Sequence, residues 1–73
     1  MTIETVRELC HAPDFRPFTI RLTDGRAISV PQRDFIAIGP RGRTVFVYDE
    51  HERFSIIDVA LIAQIEAGNG QRR

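Results

Sequence analysis

The sequence predicts an α+β fold, in which an N-terminal α-helix is followed by about five antiparallel strands in a small bent sheet or barrel. Apolar residues recur at helical spacing over residues 3–11 and alternate at strand spacing from Phe18 onward. Turn residues such as Asp24-Gly25 then separate the later apolar runs at short intervals. Short connections favour antiparallel pairing, and a small sheet of this kind curls with the helix over an open end or one face.

The length of 73 residues predicts one helix-plus-barrel domain over residues 1–67, followed by a disordered tail over residues 68–73. A domain of this size is only marginally stable alone. Cys10 is the only cysteine, so no disulfide forms within the chain. Association with another subunit is therefore an open source of stability.

The first predicted element is a helix over residues 3–11. Thr2 is the expected N-cap. Pro13 ends the helix, because the residue before a proline is disfavoured in the α region. A helix of two to three turns does not persist alone, so it must dock its apolar stripe. The stripe comprises Ile3, Val6, Leu9 and Cys10.

The strands begin with Phe18–Thr23, in which apolar and polar residues alternate. Asp24-Gly25 predicts a type I′ hairpin turn, which needs positive φ at both central residues. The returning strand, Arg26–Val30, breaks or bulges at Pro31, which lacks a backbone donor. Apolar character resumes at Phe35–Ile38.

The second half begins after a turn at residues 39–42. It is predicted to hold three more strand segments, with polar residues 49–52 as one turn and residues 58–60 as another. The segments are Thr44–Tyr48, Arg53–Ile57 and Leu61–Glu66.

Two stretches are apolar on both strand faces: Val45–Val47, and Ile56-Ile57 with the apolar residues up to Ile62. A strand with one solvated face would alternate cleanly. Either the helix or a second subunit is expected to cover the additional apolar face.

The composition excludes several classes of protein. Ten Arg, with no Lys, are balanced by ten Asp and Glu, whereas proteins that bind mainly through phosphates carry a basic excess. We expect a cytoplasmic protein, because the lone cysteine suits a reducing compartment and the N-terminus lacks secretory-signal features. No apolar run is long enough to span a membrane.

The candidate binding residues are arginines. Arg41 and Arg43 flank Gly42 in a turn, where backbone N–H groups and guanidinium groups are able to grip an anion. Arg16 and Arg21 are possible additions to this surface. An ordinary exposed turn is the alternative interpretation.

No catalytic, cofactor or metal site is predicted. The residues around His51 are interpreted as a solvated hairpin turn, since they lack the spacing of a calcium loop. Cys10 continues the apolar stripe and is interpreted as core. Asp34 and Asp58 are interpreted as turn residues rather than as a catalytic pair. The chain is therefore predicted not to be an enzyme.

Several segments together resemble a family of short, uncharacterised bacterial proteins from GC-rich genomes. They are PFTIRLTDGRAISV, DFIAI, GPRGRTVFVYD and RFSIIDVALIAQIE, and the likeness extends from Thr2 to about Glu66. The most distinctive pieces are Arg16-Pro17-Phe18, Asp24-Gly25-Arg26, Gly42-Arg43-Thr44 and Ile57-Asp58. This resemblance implies no particular activity, cofactor or catalytic residue.

The hairpin pattern Ile20–Arg26 and the short turn at residues 58–60 also resemble the Sm-like RNA-binding proteins. That resemblance implies an N-terminal helix and a five-stranded bent barrel. The RNA-contacting Asp-x-x-x-Asn of that family is not matched after Asp34, since Ile38 stands in the Asn position. Asp58 occupies the region of the bacterial Lys-His pair.

Two functions therefore stay open. The first is a non-enzymatic protein-interaction or structural module that acts as a homo-oligomer or as a subunit of an assembly. The second is an Sm-like nucleic-acid-binding protein.

Overall fold

The computed structural model describes residues 3–67 and has one helix and six antiparallel strands within that range. The predicted α+β class is confirmed. Thr2, the predicted N-cap, and the predicted tail at residues 68–73 lie outside the described residues. The elements are α1 (Ile3–His11), β1 (Phe18–Leu22), β2 (Ala27–Val30), β3 (Ile36–Ile38), β4 (Thr44–Tyr48), β5 (Phe54–Asp58) and β6 (Ile62–Ala67).

The strands form two three-stranded sheets. Sheet 1 has the order β2-β1-β6, and sheet 2 has the order β3-β4-β5. A 3₁₀ turn over Arg33–Phe35 leads from sheet 1 into sheet 2, and a second 3₁₀ turn over Val59–Leu61 leads back to it. Neighbouring strands pair antiparallel throughout, with an irregularity at Arg21/Leu22 between β1 and β6.

The single barrel of about five strands is not confirmed, because the chain divides where a broken strand was expected. Pro31 has no N–H with which to continue a ladder, and the 3₁₀ turn Arg33–Phe35 follows it. The residues before and after this break pair with different partners: β2 pairs with β1, and β3 pairs with β4. One predicted strand is therefore two.

The first hairpin also differs from its prediction. Gly25 has φ +95°, whereas Asp24 does not have positive φ, so the loop is not a type I′ turn. The N–H of Gly25 donates to the Leu22 carbonyl at 3.0 Å, and the N–H of Leu22 donates to the Arg26 carbonyl at 2.9 Å. A three-residue loop that ends in a positive-φ glycine is a common alternative hairpin.

The core lies between the two sheets and is closed by α1. From the helix, Val6 and Cys10 are buried in it. The other buried apolar residues are Phe18, Ile20, Leu22, Val30, Val45, Val47, Ile57, Val59 and Ile62. Each Å² of apolar surface that is removed from water stabilises the fold by about 25 cal/mol. Burial of this cluster is therefore the main source of the free energy of folding.

The two ends of helix α1 contact the segments on either side of β3, and residues of the helix and of β3 line one groove. At its start, the Ile3 side chain lies against Gly42, the residue that precedes Arg43 at the entrance to β4. At its end, the Arg33 side chain donates to the carbonyl oxygens of Cys10 and Ala12. The helix therefore closes the core, and within residues 3–67 the opposite face of sheet 2 keeps exposed apolar side chains. Among residues 3–67, no helix has both the length and the apolar character needed to cross a membrane.

Candidate interaction surface

The structure places Arg41 and Arg43 together in the turn between β3 and β4, and both residues are exposed. Gly42 between them has φ +69°, a conformation that other residues rarely adopt. Its N–H donates to the Gly39 carbonyl at 3.0 Å, so this N–H is not free to bind an anion. A Cβ added at Gly42 would meet the Ile3 side chain at 3.3 Å. Gly42 thus has a structural role in turn geometry and helix contact.

The other two candidate arginines lie on different elements and already have carboxylate neighbours. Arg21 projects from β1 in sheet 1, and its Nε donates to Glu66 at 2.9 Å. Arg16 lies in the connector between α1 and β1, at 3.7 Å from Asp14. The four arginines therefore divide between the turn of sheet 2, a strand of sheet 1 and the connector.

The polar turn around His51 is held together by one carboxylate. Asp49 accepts hydrogen bonds from the backbone N–H of His51 at 2.8 Å and of Arg53 at 3.1 Å. These donors, with the His51 bond foremost, hold the pKa of Asp49 below its ordinary value. Within residues 3–67, no group of three or more His, Cys, Asp or Glu is arranged to hold a metal ion. The geometry is that of a hairpin turn.

Cys10 lies in the core, as its place in the helix stripe predicts. Burial raises the pKa of its thiol, and the charge of Arg33 opposes this shift only in part. His11, the next residue, is exposed. A nucleophilic cysteine needs a lowered pKa and access to substrate, and Cys10 has neither.

An exposed apolar surface covers the outside of sheet 2. Its centre is a block of four side chains on β4 and β5, here called the outer face: Phe46 (39% exposed), Tyr48 (57%), Phe54 (59%) and Ile56 (61%). Phe46 lies opposite Ile56 and Tyr48 lies opposite Phe54 across the β4–β5 ladder. The Tyr48 and Phe54 rings make an edge-to-face contact with centroids 5.8 Å apart. The sequence showed the apolar excess but not which side would stay open.

The outer face continues towards β3. Ala37 lies beside Phe46 in the β3–β4 ladder, and Phe35 lines a shallow groove with Phe46, Tyr48 and Phe54. Three of the five Phe and the one Tyr of the chain therefore lie on this side of sheet 2. Aromatic side chains contribute much of the stabilising energy of cores and interfaces. Their concentration on an exposed surface therefore indicates an interaction surface.

Charged residues are distributed unequally around the outer face. At the Tyr48/Phe54 end lie three carboxylates, here called the acidic end: Asp34, Asp49 and Glu52. Glu50 lines a different groove, with Ser29 and Pro31. Cationic or titratable neighbours at this end are Arg53 and His51. At the opposite end, where Thr44 pairs with Asp58, lies the turn with Arg41 and Arg43, here called the arginine end. Asp58 also lies there, and its carboxylate accepts from the Ala60 N–H at 2.9 Å.

Comparisons of this chain with protein-family models, with curated proteins and with solved structures find no match.

Proposed function

We propose that this chain is a non-enzymatic protein-interaction module that acts as an oligomer or as a subunit of a larger assembly. The observation that carries the proposal is the outer face. A large side chain has a surface of about 200 Å² when it is fully exposed. The exposed fractions of the four outer-face side chains therefore add up to about 400 Å² of mainly apolar surface. The largest patch on a typical monomer is about 300–600 Å² and is often functional.

The position of the helix strengthens this proposal. Apolar strand faces are covered either by the chain's own helix or by another molecule, and α1 is engaged with the core through Val6 and Cys10. The Arg33 hydrogen bonds to Cys10 and Ala12 hold the end of the helix beside β3. Residues 3–67 contain no second α-helix that could cover the outer face, and a partner would remove this face from water.

A barrel with Sm-like topology belongs to the same proposal. It is supported by β1, which pairs with both β2 and β6, and by β2 and β3, which follow one another through a single 3₁₀ turn. Together the two sheets would be the halves of one strongly bent sheet. The cytoplasmic location expected from the lone cysteine likewise remains a proposal.

Nucleic-acid binding is the second candidate, and the exposed aromatic residues favour it. Bases stack on aromatic side chains that project from sheets. Phe46, Tyr48 and Phe54 are exposed aromatic side chains of this kind. Arg41 and Arg43 would contact the phosphates. The acidic end opposes this candidate, because carboxylates beside the stacking platform repel the nucleic-acid backbone.

The test is the solution mass over a range of protein concentrations, by light scattering with absorbance at 260 and 280 nm. The proposed function predicts an oligomer that dissociates on dilution and carries no nucleic acid. Co-purified material with a high 260/280 ratio and steep salt dependence would favour the second candidate. A monomer at the highest soluble concentration would contradict self-association.

Ile56→Thr localises the interface while keeping a β-branched residue in the strand. Full burial of an Ile side chain stabilises by about 1.5–3 kcal/mol, and Ile56 is 61% exposed. The loss is therefore about 1 kcal/mol per copy, which in a symmetric dimer weakens the dissociation constant about thirtyfold.

Leu61→Thr is the matched control. Leu61 is 48% exposed but lies in the second 3₁₀ turn, where its carbonyl accepts from Thr23 in the first hairpin. The proposal predicts that this variant associates like the wild type. Equal weakening by both substitutions would contradict an interface at the outer face.

A further inference from the structure

We infer that the outer face pairs with the same face of a second copy, with the strands of the two copies antiparallel across the interface. The inference rests on the proposed function and adds the identity and the orientation of the partner. It is carried by the polarity of the charges around the outer face, together with the area that a stable dimer requires.

The area shows that residues around the outer face must take part. The outer face supplies about 400 Å² per copy, whereas a typical stable interface buries about 800 Å² per partner. The additional surface has to come from the ends of β4 and β5 and from the turns beyond them. These are the places where the acidic end and the arginine end lie.

Symmetry then limits the arrangement. Two copies packed face to face by a two-fold axis contact each other through the same patch. If the axis lies along the strands, each end meets the same end of the other copy, so that Asp34 and Glu52 meet Asp34 and Glu52. If the axis lies across the strands, the acidic end of each copy meets the arginine end of the other.

The charges select the second arrangement. Asp34 and Glu52 of one copy then face Arg41 and Arg43 of the other, and symmetry repeats the contact at both ends. Asp58 opposes this attraction at the arginine end, but its single negative charge stands against the two guanidinium groups of Arg41 and Arg43. Complementary charges around an apolar centre fix the register and increase the rate of association. The centre of such a dimer would place Phe46 and Ile56 of one copy near Tyr48 and Phe54 of the other.

Charge reversal tests the orientation. We compare the wild type with Arg41→Glu/Arg43→Glu, with Asp34→Arg/Glu52→Arg, and with the variant that carries all four changes. Asp49 is left unchanged because its carboxylate holds the turn. Reversal at one end creates like-charge contacts at both ends of the dimer and is expected to weaken association at least about tenfold. The fourfold variant restores opposite charges and is expected to associate like the wild type.

A control separates this effect from the net charge of the molecule. Arg16→Glu/Arg26→Glu changes the net charge by the same amount as Arg41→Glu/Arg43→Glu, but in the connector and the first hairpin. The inference predicts a smaller loss of association for this control. It is overturned if the control weakens association as much as the one-end reversals, or if the fourfold variant fails to recover.

Disulfide formation gives a reading of geometry that does not depend on charge. Arg43→Cys and Glu52→Cys proteins are oxidised separately and as a mixture, with the wild type showing whether buried Cys10 reacts. The antiparallel arrangement predicts covalent dimers mainly in the mixture. Covalent dimers that form equally well in the separate samples indicate the parallel arrangement and overturn the inference.

The outcomes also separate this inference from the proposed function. A wild-type chain that stays monomeric contradicts both the self-association and the orientation. A wild-type oligomer that Ile56→Thr weakens, but that is insensitive to reversal at either end, supports the outer face as the interface and overturns the antiparallel pairing.

Discussion

Replacing Arg33 with Met should release the end of helix α1 from sheet 2. The Arg33 Nε donates to the Cys10 carbonyl at 2.9 Å in a partly buried contact, and Nη2 donates to the Ala12 carbonyl. The guanidinium carbon also lies 5.5 Å from the centre of the Phe15 ring. Arg33 therefore binds orphan carbonyls at the C-terminus of the helix, where a positive charge is also favoured by the helix dipole.

The magnitude follows from these contacts. A hydrogen bond from a charged donor contributes about 1.5–3 kcal/mol, and a partly exposed cation–π contact contributes about 0.5–1 kcal/mol. Since Met keeps part of the apolar stem and one of the two hydrogen bonds is exposed to solvent, we expect Arg33→Met to lower the free energy of unfolding by about 2–3 kcal/mol.

Urea unfolding followed by far-ultraviolet circular dichroism measures this loss, at one protein concentration for all variants. Arg16→Met is the matched control, since its only described ion pair is exposed and 3.7 Å long; it should cost less than about 0.5 kcal/mol. The reasoning is refuted if Arg33→Met costs no more than the control. Helix α1 would then be held by its buried stripe alone.

Three further predictions concern backbone strain, thiol reactivity and acid stability. Gly42→Ala should destabilise the fold by about 1–2 kcal/mol because φ is positive there. The loss should be larger than for Gly25→Ala, where an added Cβ meets nothing within 4 Å. Thermal unfolding of both variants measures the difference, and equal losses would contradict a role for the contact between Gly42 and Ile3. Burial raises the pKa of Cys10, so its alkylation at neutral pH should be slow until urea unfolds the chain; rapid alkylation of the folded chain would contradict its place in the core. Asp24 and Asp49 have pKa values below the ordinary 3.8, each because of backbone hydrogen bonds first. The stabilisation that the two carboxylates give the fold is therefore present above pH 3.8 and is lost as the pH falls through the lowered pKa values. The melting temperatures of the wild type and of Asp24→Asn/Asp49→Asn should therefore converge on acidification. A constant difference would contradict the role of these two carboxylates.

Those parts of the fold that depend on local pattern could be predicted from the sequence. The helix over residues 3–11 is confirmed, because its apolar stripe has helical spacing and Pro13 ends it. Strand Thr44–Tyr48 is confirmed with its predicted bounds, as expected for a β-branched and aromatic run. The short turn after Ile57 is a 3₁₀ turn with Asp58 as its cap.

Other features depend on contacts between distant residues and could not be read locally. The break at Pro31 could be predicted from the sequence. That β2 pairs with β1 whereas β3 pairs with β4 could not, because strand pairing depends on residues far along the chain. Arg33 reaches a carbonyl 23 positions away, and no local periodicity indicates such a contact. The conformation of Asp24 was predicted incorrectly because Asp-Gly suits more than one hairpin loop.

The candidate interaction surface could likewise be predicted only in part. The sequence placed Arg41 and Arg43 in an exposed turn, and the structure agrees, whereas Gly42 between them has the role of a packing and turn residue. Apolar residues on both sides of β4 and β5 were evident as an excess of hydrophobicity. Whether the helix covered the second side depended on where α1 docks, which only the tertiary structure shows.

The most direct test of the outer face as an interface is a dilution series of two-dimensional amide NMR spectra. The account predicts concentration-dependent shifts for Phe46, Tyr48, Phe54 and Ile56 and for the turns at the two ends of β4. The amides of β1 and β6 should stay constant across the series. Spectra that do not change with concentration, or changes confined to sheet 1, would contradict it.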